Sequence, residues 1–151
     1  MISIPFRFLG HGGISALPPG RPVISVVFCD GFSADDDALE LLSNLDDWRH
    51  QPALIDTSAS YSMISRSLAE RLRLQANPKL KVIGSASSSD GPRDLVSVRL
   101  YLTDCRRFLT TEAVVADLDP GEAMRIGMNV ISEASLTLDY INGRFELLFP
   151  S

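Results

Sequence analysis

Apolar residues fall in short runs, or at every second position, along much of the 151-residue chain. Such runs are typical of β-strands when they are rich in β-branched residues and bounded by turn-forming residues. We predict strands over residues 22–30, 80–83, 95–102 and 108–115. Asp30-Gly31 is a turn signal that would make the first of these one strand of a hairpin. The pattern therefore predicts a mostly β protein.

The end of the chain carries the clearest hairpin signal. An Asn142-Gly143 turn separates two apolar rows, which are Leu136, Leu138 and Tyr140 on one strand and Phe145, Leu147 and Phe149 on the other. A further short apolar run, Met124–Ile126, stops at Gly127. The start is different, because residues 1–21 are rich in glycine and proline and are predicted as an irregular arm.

Helical spacing of apolar residues predicts a helical insertion over residues 33–51. Ser33 offers an N-cap, and Asp35–Asp37 fall in the first turn, where the helix dipole favours anions. A cation site is the alternative for these aspartates, but the glycine and the closing glutamate of a calcium loop are missing. Shorter helices are predicted over residues 61–74 and 130–135, the second capped by Asn129.

Composition narrows the possible partners. The length and the 45% hydrophobic content fit a single globular domain over residues 1–151, and the formal net charge is −5. Neither nucleic acid nor an anionic membrane surface would attract such a chain. Arg7 and Pro5 interrupt the first apolar stretch, which argues against a secretory signal, and no segment has the roughly 20 apolar residues of a membrane span.

The cysteines and histidines are too few for a metal site. There are two of each, and neither pair has the spacing of a ligand set. We therefore expect reduced thiols in a cytoplasmic protein that uses no metal and no cofactor. A serine hydrolase is also disfavoured, since the G-x-S-x-G turn is absent.

The segment PALIDTSAS, residues 52–60, places an aspartate directly after the apolar run Ala53–Ile55. An ionised carboxylate in apolar surroundings is costly unless it is hydrogen-bonded, paired or partly protonated. Asp56 is therefore a candidate for chemistry. The alternative is that Asp56 only closes an Asx-turn or caps a helix.

The residues ALIDTSAS resemble the Asp-Thr/Ser-Gly-Ala signature of the retropepsin-like aspartic proteases, at all but one position. The run MRIGMNVISEASLTLDY resembles a second element of that family, an apolar run before Gly-x-Asp/Asn and a short helix. The resemblance implies a closed β-barrel-like acid protease fold with short helices and a flap hairpin. It spans most of residues 22–149.

The same resemblance implies roles for individual residues. Asp56 would be catalytic, Thr57 would brace two loops through its hydroxyl, the N–H of Ser58 would support the carboxylate, and Ala59 would pack beneath. Gly127 and Asn129 would form the second structural loop. The small polar loop between two predicted strands would be the flap, which consists of Gly84, Ser85, Ala86, Ser87, Ser88, Ser89, Asp90 and Gly91.

Aspartic protease chemistry needs two carboxylates that share a proton. The chain has one Asp-Thr-Ser-Ala motif and no internal repeat, so the second carboxylate would come from another copy in a homodimer. The expected substrate is an extended peptide. Ser58 stands where the family usually has glycine, and the alternative is a weakly active or inactive dimer that binds peptides or regulates.

Overall fold

The computed structural model describes residues 2–31, 47–82 and 92–150. This part of the chain contains a short 3-10 turn, Asp47–Arg49, and two helices, α1 (Arg66–Arg71) and α2 (Met128–Ile131). The strands in chain order are β1 (Ile2–Pro5), β2 (Arg7–Gly10), β3 (Gly13–Ser15), β4 (Arg21–Phe28), β5 (His50–Ile55), β6 (Ser62–Ser65), β7 (Ala76–Val82), β8 (Arg93–Leu102), β9 (Arg107–Ala116), β10 (Met124–Ile126), β11 (Ser135–Asp139) and β12 (Arg144–Phe149).

Six strands close into a barrel. Their order is β4-β5-β10-β6-β9-β8, and β8 pairs again with β4 to complete the ring. The interior is filled by fully buried apolar side chains from every strand of the ring, among them Phe28, Ala53, Ile64, Val98, Ala113 and Ile126. The prediction of a mostly β, barrel-like fold is therefore confirmed.

A second, three-stranded sheet has the order β1-β12-β11. The two predicted apolar rows do lie on paired strands, but the register is Leu136 with Leu147 and Leu138 with Phe145. It differs by two residues from that of a two-residue Asn142-Gly143 turn, because the turn spans residues 140–143 and includes Tyr140. Phe8 links the two sheets, because its ring contacts that of Phe145 edge-on with 4.8 Å between centroids. The N-terminal segment is not the irregular arm that we predicted, since β1 pairs with β12, β2 pairs with β4, and β3 pairs with β2.

Three helix predictions need correction. The helix predicted over residues 130–135 is α2, Met128–Ile131, and Ser135 already belongs to β11. Residues 61–74 were expected to be one helix, but Ser62–Ser65 form β6, which lies between β9 and β10. Only the following six residues are helical, and Ser65 caps them by accepting a hydrogen bond from Leu68 N at 3.3 Å. Of the predicted insertion over residues 33–51, residues 33–46 lie outside the described part, while His50 and Gln51 belong to β5.

The central strand β10 brings two distant segments together. It runs parallel to β5, with Ile126 opposite Ile55, and antiparallel to β6, with Met124 opposite Ile64. Because the carboxyl ends of parallel neighbours meet at one edge, the residues after β5 and after β10 lie side by side. These residues are Asp56 and Gly127.

Candidate active site

Asp56 is the first residue after β5, and its backbone N–H donates to the carbonyl of Ile126 at 2.9 Å. This bond continues the pairing of β5 and β10 by one residue. The carboxylate is thereby fixed at the edge of the barrel, with its side chain 19% exposed. A carboxylate in that position can remain ionised and can still reach a ligand.

The turn after Asp56 is built around its carboxylate. Oδ1 accepts a hydrogen bond from Ser58 N at 3.0 Å and a second one from Ser58 Oγ at 2.5 Å. Ala59 is buried below the turn, while Thr57 is exposed beside the carboxylate. The departure from the usual glycine at position 58 therefore adds a hydroxyl donor that glycine does not have.

Arg125, in the middle of β10, faces the other oxygen of the same carboxylate. Its Nη1 lies 3.6 Å from Asp56 Oδ2. The Ser58 hydroxyl, followed by the Ser58 N–H and the charge of Arg125, lowers the pKa of Asp56 against the opposing effect of partial burial. Asp56 in a single chain is therefore held in its ionised form.

Gly127 occupies a point where two backbones approach closely. A Cβ at this position would lie 2.5 Å from the carbonyl carbon of Tyr61 and 2.8 Å from Ser62 N. The φ of Gly127 is −99°, so lack of space, and not a left-handed backbone, requires the glycine. Its N–H donates to Ser62 Oγ at 3.0 Å, which ties β10 to β6.

Asn129 is not the helix cap that we predicted, because Gly127 is the cap residue of α2. Its side chain instead joins two segments. Oδ1 accepts from Ser62 N at 2.8 Å and from Ser62 Oγ at 2.9 Å, while Nδ2 donates to Thr111 Oγ1 at 3.2 Å and to Glu112 O at 2.9 Å. All four hydrogen-bonding positions of the amide are thus used.

Comparisons with known proteins identify this arrangement. A family model described as "Aspartyl protease" matches residues 45–130, more than half of the chain and a range that includes both Asp56 and Gly127. The chain therefore belongs to the aspartyl protease family. The resemblance to retropepsin-like aspartic proteases is confirmed. No curated protein matches this chain.

Several solved structures resemble this chain. A retropepsin-like aspartic protease from Rickettsia conorii has 12% sequence identity and a TM-score of 0.54, with 98% of this chain and 89% of that chain covered. EIAV protease complexed with the inhibitor HBY-793 has 20% identity and a TM-score of 0.44, with 78% and 93% covered. The first of these likenesses supports the retropepsin-like fold.

The structure brings together the six predicted site residues that lie in its described part, which are Asp56, Thr57, Ser58, Ala59, Gly127 and Asn129. The turn 56–59 and the loop at 127–129 are joined by the bond from Met128 N to Ala59 O at 2.7 Å. The flap residues 84–91 lie outside the described residues. Sequence reasoning missed Arg125, whose only signal is a charge inside the apolar run Met124–Ile126.

No candidate metal cluster of three or more His, Cys, Asp or Glu side chains occurs within residues 2–31, 47–82 and 92–150. Cys29 and Cys105 are free thiols, and burial raises the pKa of each. Neither of the described helices has the length and apolar character needed to span a lipid bilayer.

Proposed function

We propose that this chain is a homodimeric aspartic endopeptidase in which each protomer supplies Asp56. The observation that carries the proposal is the position of the Asp56 carboxylate, held by Ser58 at the edge where β5 and β10 end. Two such carboxylates about 3 Å apart, sharing one proton, can activate a water molecule and polarise the scissile carbonyl. A single carboxylate cannot perform both tasks.

Two other carboxylates of the described residues, Glu122 and Asp119, face the same cation as Asp56 and are poorly suited to be the second one. Glu122 Oε2 accepts from Arg125 Nε at 2.8 Å, and Asp119 Oδ2 lies 3.3 Å from Arg125 Nη2. Both are thus engaged by the cation that also faces Asp56. A second copy of Asp56, placed by a two-fold axis, supplies an equivalent group without breaking these pairs.

The residues around Asp56 are suited to a two-fold contact between two copies of the chain. Thr57, the residue after Asp56, is exposed and would be free to meet its counterpart across the two-fold axis. Tyr61 and Met128, which flank the turn, are each 37% exposed. Burial of these apolar side chains between two copies would favour the dimer.

The substrate in this proposal is an extended peptide that lies across the two carboxylates and pairs with strand edges. Gly84–Gly91 would act as the flap, since a loop of small residues with two glycines can open and close. Asp56 would be catalytic, Thr57 the brace between protomers, and Ser58 and Ala59 the support of the turn. Residues 1–151 would form one domain.

The proposal is tested by removing the Asp56 carboxylate and measuring peptide cleavage. Purified protein should cleave an unfolded polypeptide between about pH 4 and 6, where a carboxylate pair holds one proton. Asp56→Asn should abolish cleavage and leave the dimer intact by sedimentation. The matched control is Asp117→Asn, because Asp117 is exposed and pairs with Arg66 away from the turn; this variant should keep its activity.

A second function is favoured by the donors around Asp56. Ser58 Oγ and Arg125 both stabilise the ionised carboxylate, which opposes proton sharing. A dimer that binds extended peptides without cleaving them would follow if this effect prevails. Equal inactivity of wild type and Asp56→Asn, with both remaining folded dimers that bind peptide, would support binding over catalysis.

A further inference from the structure

Arg125 stands at the centre of a cluster of charges that ends at Asp56. Its Nε, Nη2 and Nη1 face Glu122 at 2.8 Å, Asp119 at 3.3 Å and Asp56 at 3.6 Å. The Arg125 side chain is 22% exposed and that of Asp56 is 19% exposed. An ion pair this sheltered from water is less screened than a pair on open surface.

The position of the guanidinium is fixed from behind. The Glu122 side chain is only 7% exposed, and it binds Arg125 through Oε2 and Arg21 Nη1, on β4, through Oε1 at 2.7 Å. Glu122 therefore joins two strands of the barrel and holds Arg125 towards Asp56. The backbone of Arg125 is also fixed, since it lies opposite Leu54 of β5 and Met63 of β6.

We propose that Arg125 is a positioning residue for the reaction: its guanidinium, anchored by Glu122, keeps Asp56 charged and thereby confines the proton-sharing state of the dimer to acidic pH. This inference rests on the proposed function, because the proton is shared only when two copies of Asp56 meet.

The proton balance in the dimer follows from the charges that face Asp56. The two Asp56 carboxylates repel each other, which favours uptake of one proton. Arg125 and the Ser58 hydroxyl of each protomer oppose that uptake. The negative charges of Asp119 and Glu122 weaken the effect of Arg125, and the positive charge of Arg21 partly neutralises that of Glu122. The shared proton is therefore lost at a lower pH than it would be without Arg125.

The pH profile of peptide cleavage tests the inference. In Arg125→Gln the loss of activity at the basic side should move to higher pH by about one unit, the lower end of the effect of an adjacent opposite charge. Arg125→Lys keeps the charge but has a single nitrogen to share between Glu122 and Asp56, so its shift should be in the same direction as that of Arg125→Gln and smaller. Arg144→Gln, which removes a cation that pairs with Glu146 on β12, should have the wild-type profile.

A second variant, expected to shift the pH profile in the opposite direction, keeps the inference testable if Arg125→Gln does not fold. Asp119 is 74% exposed, so Asp119→Asn should fold, and it removes an anion that weakens the field of Arg125. The basic side of its profile should move to lower pH. A role of this cluster in folding alone would not move the two profiles in opposite directions, so movement in the same direction, or none in either variant, would overturn the inference.

Titration of the carboxyl carbon of Asp56 by NMR keeps the inference separate from the proposed function. The signal is assigned by its loss in Asp56→Asn. If no peptide is cleaved, the proposed peptidase fails, but the midpoint of this signal should still be higher in Arg125→Gln than in wild type. Identical midpoints would overturn the role of Arg125 even if the protein is an active protease.

Discussion

Gly127→Ala should destabilise the protein strongly, although it adds a single methyl group. The new Cβ would lie 2.5 Å from both the carbonyl carbon and the carbonyl oxygen of Tyr61. Carbon atoms in contact are normally about 3.5–4.0 Å apart. The backbone of β10 and the segment before β6 would therefore have to separate by about 1 Å to reach ordinary contact.

The cost follows from the contacts at that point. Overpacking in a well-filled interior costs about 1–3 kcal/mol. Separation also strains the bonds from Gly127 N to Ser62 Oγ, at 3.0 Å, and from Met128 N to Ala59 O, at 2.7 Å. Each such bond contributes about 0.5–1.5 kcal/mol. We expect a loss of about 3 kcal/mol in the free energy of unfolding.

Urea unfolding followed by circular dichroism measures this difference. Gly12→Ala is the matched control, because a Cβ there would have no neighbour within 4 Å, and it should change the free energy of unfolding by less than about 0.5 kcal/mol. If Gly127→Ala is as stable as Gly12→Ala, the close approach of the two backbones is not a feature of the folded protein in solution.

Two further substitutions test the bonds around the site. Asn129→Ala removes four hydrogen bonds and leaves Ser62 N without its partner, so urea unfolding should show a loss of about 2–4 kcal/mol; a loss below about 1 kcal/mol would contradict the bonds described. Ser58→Ala removes the hydroxyl that lowers the pKa of Asp56. Since that pKa is lower in the folded state, ionised Asp56 stabilises the fold above about pH 4 and this contribution is lost as the pH falls through the folded pKa. Wild type should thus exceed Ser58→Ala in stability near neutral pH and converge with it in acid, whereas a gap that does not vary with pH would argue against the bond.

Strands with an alternating or β-branched pattern were predictable from the sequence, because each such stretch carries its own signal. The hairpin of β11 and β12 was predictable from the Asn142-Gly143 signal, but its register was not, because the turn spans residues 140–143. Strand β6 was not predictable in this way. Ile64 and its neighbours also fit helical spacing, and only pairing with β9 and β10, which come much later in the chain, decides in favour of a strand.

Long-range partners also explain what was missed at the site. Asp56 and Gly127 were recognisable because each lies in a segment that resembles a signature of the family. Asn129 was misread as a cap, since its true partners, Ser62 and Thr111, are distant in sequence. Arg125 gave no signal of its role, because its contact with Asp56 exists only after β10 has inserted beside β5.

Cleavage by mixed dimers is the most direct test that two chains build one reaction centre. Wild-type and Asp56→Asn chains, unfolded together in equal amounts and refolded, should form dimers of which about one quarter carry both carboxylates. We predict that activity falls to about that fraction of the activity of the same total amount of wild-type protein. Activity that falls only in proportion to the wild-type chains, to about one half, would show that each chain acts alone and would contradict the shared site.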